Sequence, residues 1–263
     1  MSLKYTNKLQ GKRVVIIGGT SGIGFAAAEA AVEHGAIVVV ASSKRDKVDR
    51  AVERIQKAYP DAGDRIRGTT LDLSSEDVEQ QIVALFDFAT DGGKHKLQHV
   101  AETAGGAFRM VPLAEVTPTA IAEVAKVRLT GCTMLAKISM RYLEISRTSS
   151  FTLTNGVSDA KPTTGWTIMA PIGAAKRGLT HALANDMKPI RVNCVCPGAV
   201  KTELFDHFAG DGEQQKIVDF YTARTLTDSI GAPEDLAECY ISIMKNYFMT
   251  GQEITADGGY LLC

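Results

Sequence analysis

The chain has 263 residues, 45% of them apolar, and a formal net charge of −1. That size and apolar content suffice for one large domain with a core on both faces of a sheet. The near-zero charge, with no basic stripe, argues against nucleic acid as a partner, and no run approaches the ~18 apolar residues of a membrane helix. The first residues, Met1-Ser2-Leu3-Lys4-Tyr5-Thr6, lack a secretion-signal core, so a cytoplasmic protein without a membrane partner is expected. Cys132, Cys194, Cys196, Cys239 and Cys263 lie scattered without metal-ligand spacing, and reduced thiols are expected.

The first predicted strand is Val14–Ile17, and Gly18-Gly19-Thr20-Ser21-Gly22-Ile23-Gly24 follows it directly. This reads as a dinucleotide cradle opening a helix over 22–34. Gly18 allows the tight turn, Gly22 lets backbone approach a pyrophosphate, and Gly24 lets helix and strand pack closely. Thr20, Ser21 and Ile23 complete the cradle, and the helix start aims N–H groups at phosphate. A second strand, Ile37–Val40, leads into Ala41-Ser42-Ser43-Lys44-Arg45. An NAD site places an acid here on the ribose 2′-hydroxyl. Ser42, Ser43 and Lys44 suit a 2′-phosphate instead, so the expected cofactor is NADPH/NADP+; alternatively Lys44 and Arg45 are the solvated start of a helix over 46–58. The third strand, Ile66–Leu71, ends at Asp72-Leu73, where Asp72 can accept from an adenine amino group or cap the helix over 75–90. The fourth, Leu97–Ala101, ends in Thr103-Ala104-Gly105-Gly106, small enough for backbone to lie beside a ribose.

A long helix is predicted over 115–145, then a strand Phe151–Thr154, a helix over 172–187 and a strand Arg191–Val195. Pro197, Gly198, Val200 and Thr202 follow, at the end where a nicotinamide would lie. The stretch Lys201–Leu226, with Gly210, Asp211 and Gly212, reads as a flap over the crevice or as an ordinary surface excursion. A helix over 233–246 and a strand Glu253–Thr255 complete the chain. Apolar strands alternating with helices predict an α/β fold: a single-domain, Rossmann-type, doubly wound parallel seven-stranded sheet, with its ligand crevice at the strands' carboxyl ends.

Together these motifs resemble the short-chain dehydrogenase/reductase family over essentially the whole chain. Ile17 replaces the Thr of its Thr-Gly-x-x-x-Gly-Ile-Gly motif, and Glu102-Thr103-Ala104-Gly105 stands for Asn-Asn-Ala-Gly. Asp72, Pro197-Gly198, Thr202 and Asp257-Gly258-Gly259 match as they stand. The family's Asn-Ser-Tyr-Lys tetrad does not. Arg128, in Val127-Arg128-Leu129-Thr130-Gly131, occupies the Asn position, and Thr154-Asn155-Gly156 stands at the Ser. Counting back from Gly178 puts Met169 at the Tyr and Gly173 at the Lys. A ketone that accepts hydride becomes an alkoxide and needs an acid. An iminium becomes a neutral amine without one. On this reading the pocket has nothing to protonate a nascent alcohol, and its substrate arrives positively polarised.

A narrower resemblance is to fungal reductase/Diels–Alderases of bicyclo[2.2.2]diazaoctane indole-alkaloid pathways (malbrancheamide and paraherquamide type), which lack the Tyr-Lys pair. It implies reduction of a cyclic imine or iminium, followed by a guided intramolecular cycloaddition, with Arg128 and Trp166 holding the substrate. That subgroup carries an acid three residues before the Trp; here Thr163 stands there, and Asp159 is the nearest upstream carboxylate. Each residue also has a plain reading: Arg128 as surface charge, Trp166 as a core anchor, Asp159 as a loop cap. Met110 and Met169 are pocket lining or core. The rival functions are a carbonyl reductase with a relocated proton donor and a non-catalytic NADP(H)-binding protein. By analogy with the family, the long helix and the helix from 172 imply a homodimer or homotetramer.

Overall fold

The computed structural model describes residues 4–105, 109–204 and 214–263. Its centre is a seven-stranded sheet in the order β3-β2-β1-β4-β5-β6-β7, with every pairing parallel. The strands are β1 (Arg13–Ile17), β2 (Ile37–Ser42), β3 (Ile66–Thr70), β4 (His99–Glu102), β5 (Ser150–Thr154), β6 (Arg191–Pro197) and β7 (Glu253–Ala256). The middle strands are buried on both faces because helices cover both. Helices α1 (Gly22–Glu33), α2 (Arg45–Ala58) and α8 (Pro233–Lys245) close one side around Phe25, Ile55 and Tyr240. Helices α3 (Val78–Ala89), α5 (Cys132–Ser139) and α6 (Met169–Asp186) close the other around Phe86, Leu135 and Phe151. The winding reverses between β1 and β4, so the loops after these strands part and leave a crevice at their carboxyl ends.

Most predicted elements lie within a few residues of their expected bounds, but the long helix does not exist as one element. Helix α4 (Pro118–Ala125), capped by Thr117 accepting from the Ala120 N–H at 3.1 Å, runs into a π-helical turn over Lys126–Gly131 before α5 begins. The cause is local packing. Gly131 is buried against Leu73, and a Cβ at Gly131 would stand 2.8 Å from the Leu73 Cβ. The widened turn brings the one residue without a side chain to that contact and displays Arg128 on the crevice side. The expected flap contains helix α7 (Gln214–Thr222). Gly210, Asp211 and Gly212 lie outside the described residues, as does Gly106. No described helix is long and apolar enough to cross a membrane.

Two expectations follow from this packing. The His99 ring is buried in β4 with Nδ1 2.9 Å from Ser150 Oγ; burial, then Arg191 and Lys12, push its pKa down to about 3. The unfolded chain binds a proton near pH ~6.5 that the folded chain refuses, so stability falls as pH drops from there towards about 3. Replacing His99 with Asn should flatten that slope by about 1.4 kcal/mol per pH unit in urea titrations. A Cβ at Gly24 would overlap Gly18 O and Thr103 Oγ1, where α1 crosses the ends of β1 and β4. Gly24→Ala should therefore cost about 1–3 kcal/mol of unfolding free energy, and unchanged stability would contradict this crossing.

Candidate active site

The glycine motif forms the turn that its spacing predicts. Gly18 has φ +81°, and a Cβ there would lie 2.6 Å from Thr103 Oγ1 and 2.7 Å from the Ala104 nitrogen. Only glycine lets the β1–α1 turn lie this close to the end of β4. Thr103 ties the two strand ends together by donating its hydroxyl to Ile17 O at 2.8 Å. At the start of α1, Ser21 makes no side-chain cap and the first turn holds no acid. Its N–H groups are therefore available to an external anion. A carboxylate already meets one of them: Gly22 N–H donates to Glu203 Oε2 at 2.9 Å. The residues present thus fit the phosphates of a dinucleotide.

The other nucleotide residues sort by their surroundings. Thr20 and Ile23 are half-buried in the cradle, and Ser42 is half-buried at the tip of β2, with Ser43 and Lys44 exposed beyond it. Arg45 is bound to Asp49 at 2.8 Å on its own helix. Asp72 Oδ1 accepts from the backbone and hydroxyl of Ser74 at 2.8 and 2.6 Å, so the turn-capping role is real. Helix α3 itself starts later, at Val78. Leu73 departs from its expected place: its side chain is core, beneath Gly131, and only its backbone is left to face a nucleotide.

A cavity continues from the cradle towards β5 and α6. Its lining takes in Ile23 of α1, Ala104 and Gly105 after β4, Arg128 of the π turn, Pro197, Gly198, Val200 and Thr202 at and beyond the end of β6, Trp166 and Met169, and also Leu204 and Tyr221. Trp166 is only 8% exposed yet lines the cavity, so it is both core anchor and pocket wall. The Arg128 guanidinium lies across Gly105, where a Cβ would stand 3.0 Å from Nη2. It is a cavity residue, not a surface charge.

Beneath this cavity lies a group that motif reading overlooks. Lys176 Nζ donates to Glu102 Oε2 and to Thr154 O, each at 2.7 Å, with both charged side chains closed to water. The Thr154 hydroxyl donates to Glu102 O at 2.5 Å and stands 2.6 Å from the Tyr240 hydroxyl, which donates to it. Lys176 also lines the cavity. Burial opposes its charge, but the Cys132 sulfur and the Glu102 carboxylate outweigh that, and the ammonium pKa is pushed up to about 12.

Gly173, which the motif spacing set at the lysine position, has no room for a side chain. A Cβ there would be 2.9 Å from Asn155 Oδ1 and 3.1 Å from Asp159 Cβ. Lys176, three residues on and nearly one helical turn later, lines the same cavity. That spacing was the available signal. The cavity lining therefore includes ionisable groups that the motifs did not place there, Lys176, Tyr221 and Tyr260, while Met169 and Gly173 line it without an ionisable side chain.

Asp159 needs correction as well. Arg177 grips its carboxylate through both Nε and Nη2, and Asn155 Nδ2 donates to it at 3.2 Å. Arg177 continues to Glu253. Burial favours the neutral acid, but Arg177 and Asn155 outweigh it and hold the group below the usual carboxylate range. Asp159 serves the α6–β7 contact and does not line the cavity. No carboxylate is found among the described lining residues. Lys161, also missed, donates to Tyr260 O at 2.9 Å and to Cys263 O at 2.6 Å, pinning the last turn to the cavity rim.

Comparison with known proteins agrees with this geometry. Residues 5–263 match the family model described as an SDR-like Rossmann domain. A short-chain dehydrogenase/reductase of an Acremonium species, ucsE, is 44% identical over the whole of both chains. Another, malC of Malbranchea aurantiaca, is 37% identical over 97% of this chain and 96% of its own. The solved structure described as MalC reductase/Diels-Alderase superposes with a TM-score of 0.92 at 36% identity, covering 98% of this chain and 99% of that one. The chain belongs to the short-chain dehydrogenase/reductase family.

Proposed function

We propose that this oxidoreductase uses NADPH to reduce the C=N bond of a cyclic imine or iminium intermediate in secondary metabolism. The observation that carries the reading is the pair Met169 and Gly173. Both line the cavity, and neither can hand over a proton where the family uses tyrosine and lysine. A C=N acceptor makes the smallest demand for an acid, because its charged form yields an amine on hydride addition alone. When bound, a reduced nicotinamide supplies that hydride. The protein's part is placement: Arg128, Gly105, Pro197 and Thr202 line the cavity that would hold the acceptor, and Trp166 offers a flat wall to an aromatic substrate. The preference for NADPH rests on Ser42, Ser43 and Lys44, because none of these residues at the end of β2 is a carboxylate that would repel a 2′-phosphate.

A second step, an intramolecular cycloaddition of the reduced product, draws its support from the likeness to the Malbranchea protein. The aromatic and aliphatic walls formed by Trp166, Met169 and Ile172 suit folding an alkene over a diene.

Absorbance of the reduced nicotinamide tests the first step. With N-methyl-3,4-dihydroisoquinolinium as acceptor, NADPH should be consumed, and consumption with no C=N compound would end the proposal. NADPH should bind at least about tenfold more tightly than NADH, and Ser42→Asp should remove that preference, as measured by fluorescence titration of the reduced cofactors. Equal affinities in the unsubstituted protein would refute the assignment. Arg128→Ala should lower kcat/KM for the acceptor by about 10- to 100-fold while leaving NADPH affinity within about twofold.

A further inference from the structure

The structure assigns Tyr260 as the residue that selects acceptors whose C=N bond is fused to an aromatic ring, with Lys161 as the positioning residue that holds it. The assignment rests on the reductase reading above and narrows its substrate class. Three aromatic side chains stand among the described lining residues, and they come from distant segments: Trp166 ahead of α6, Tyr221 on α7 and Tyr260 just after β7. The Tyr221 and Tyr260 rings are in contact, with centroids 5.9 Å apart and planes inclined at 54°. An aromatic corner is thus built where α7 meets the turn that follows β7.

Three sets of contacts hold Tyr260 in place. The Asp257 carboxylate closes the turn by accepting from the Gly259 and Leu261 N–H groups at 2.9 and 3.0 Å. Leu226, beyond α7, donates its N–H to Gly258 O at 2.7 Å, and a Cβ at Gly259 would stand 2.8 Å from Leu226 Cδ1. Lys161 Nζ donates to Tyr260 O and Cys263 O at 2.9 and 2.6 Å and lies 4.3 Å from the centroid of the Tyr260 ring. The ammonium is engaged with two carbonyls and a π face, so its charge is committed to this turn.

Such a ring discriminates where the aliphatic lining does not. Ile172 and Leu204 also line the cavity, and side chains of that kind accept a saturated ring as readily as an arene. A tyrosine ring carries a quadrupole, and it meets the edge or face of an arene with a gain beyond buried area. Tyr260 is only 5% exposed and tied through its backbone and its ring, so it has little rotamer freedom left to lose when an acceptor enters.

Two acceptors of equal charge and similar size separate this role from a structural one: N-methyl-3,4-dihydroisoquinolinium and its counterpart with the benzo ring saturated, N-methyl-octahydroisoquinolinium. With saturating NADPH, Tyr260→Leu should raise KM for the benzo-fused acceptor about 5- to 10-fold and KM for the saturated one less than about twofold, with kcat for both moving by less than about threefold. Lys161→Met should raise the benzo-fused KM about threefold or more, and Lys161→Arg, which keeps the cation and donors for both carbonyls, should reverse the rise. Equal rises on the two acceptors, or none, would overturn the selection by Tyr260, and an Arg variant as impaired as the Met variant would overturn the positioning by Lys161. If Tyr260→Leu does not fold, the unsubstituted protein decides: its KM should be at least about fivefold lower for the benzo-fused acceptor, and equal values would refute the assignment. If neither iminium is reduced, the reductase reading fails on its own, and affinity judges Tyr260. Calorimetric titration of the NADP+-loaded protein should then show N-methyl-1,2,3,4-tetrahydroisoquinoline binding at least about fivefold more tightly than N-methyl-decahydroisoquinoline. Equal affinities, or no binding of the benzo-fused amine, would sink the proposal.

Discussion

Where β4, β5 and α6 converge, an ammonium and a carboxylate face each other at 2.7 Å with no water between them. Such a pair costs several kcal/mol per ion to dehydrate, and it persists only where further hydrogen bonds share the charge. Thr154 O provides one, and Thr154 and Tyr240 extend the network across the sheet to α8. Glu102 Oε1 is buried with no hydrogen-bond partner, so the carboxylate depends on its contact with Lys176. Three elements of the middle of the chain, β4, β5 and α6, are joined by this pair and its bond to Thr154 O. Removing either member alone would leave a bare charge in the core, at about 3–5 kcal/mol.

The site grows outward from that anchor. With Lys176 fixed, α6 presents Met169 and Gly173 to the chamber, and Gly173 lets the helix settle onto Asn155 and Asp159. Asp159 in turn binds Arg177, which ties α6 to β7. Helix α6 thus works as a scaffold, anchored through Lys176 and Arg177 and facing the chamber with Met169 and Gly173.

The nucleotide half was readable because its chemistry is local. Seven consecutive residues, 18–24, contain the turn, the helix start and the close crossing, and strand ends identified Asp72 and Thr202 by adjacency. The substrate half was not, because its partners are far apart in the chain. Glu102 and Lys176 lie 74 residues apart and share no motif. Asp159 looked like a free carboxylate only because its captor, Arg177, lies a further 18 residues on and on a different element. Hydrophobic periodicity alone made 115–145 one helix. It carries no information about Gly131 pressing on Leu73, which forces the π turn.

That turn encodes direction by residue count. A π turn holds one residue more than an α turn, and each residue of an α-helix is worth about 100° of rotation. Deleting a single residue between Lys126 and Gly131 would let the backbone relax into ordinary α geometry; α4 and α5 would keep their faces, because each kind of turn closes about one revolution, but the residues inside the turn would be re-aimed by up to about that angle. Arg128 would leave the crevice, although every other side chain of the pocket kept its identity. The aim of the guanidinium is thus stored in chain length, a quantity that no inspection of individual side chains reveals.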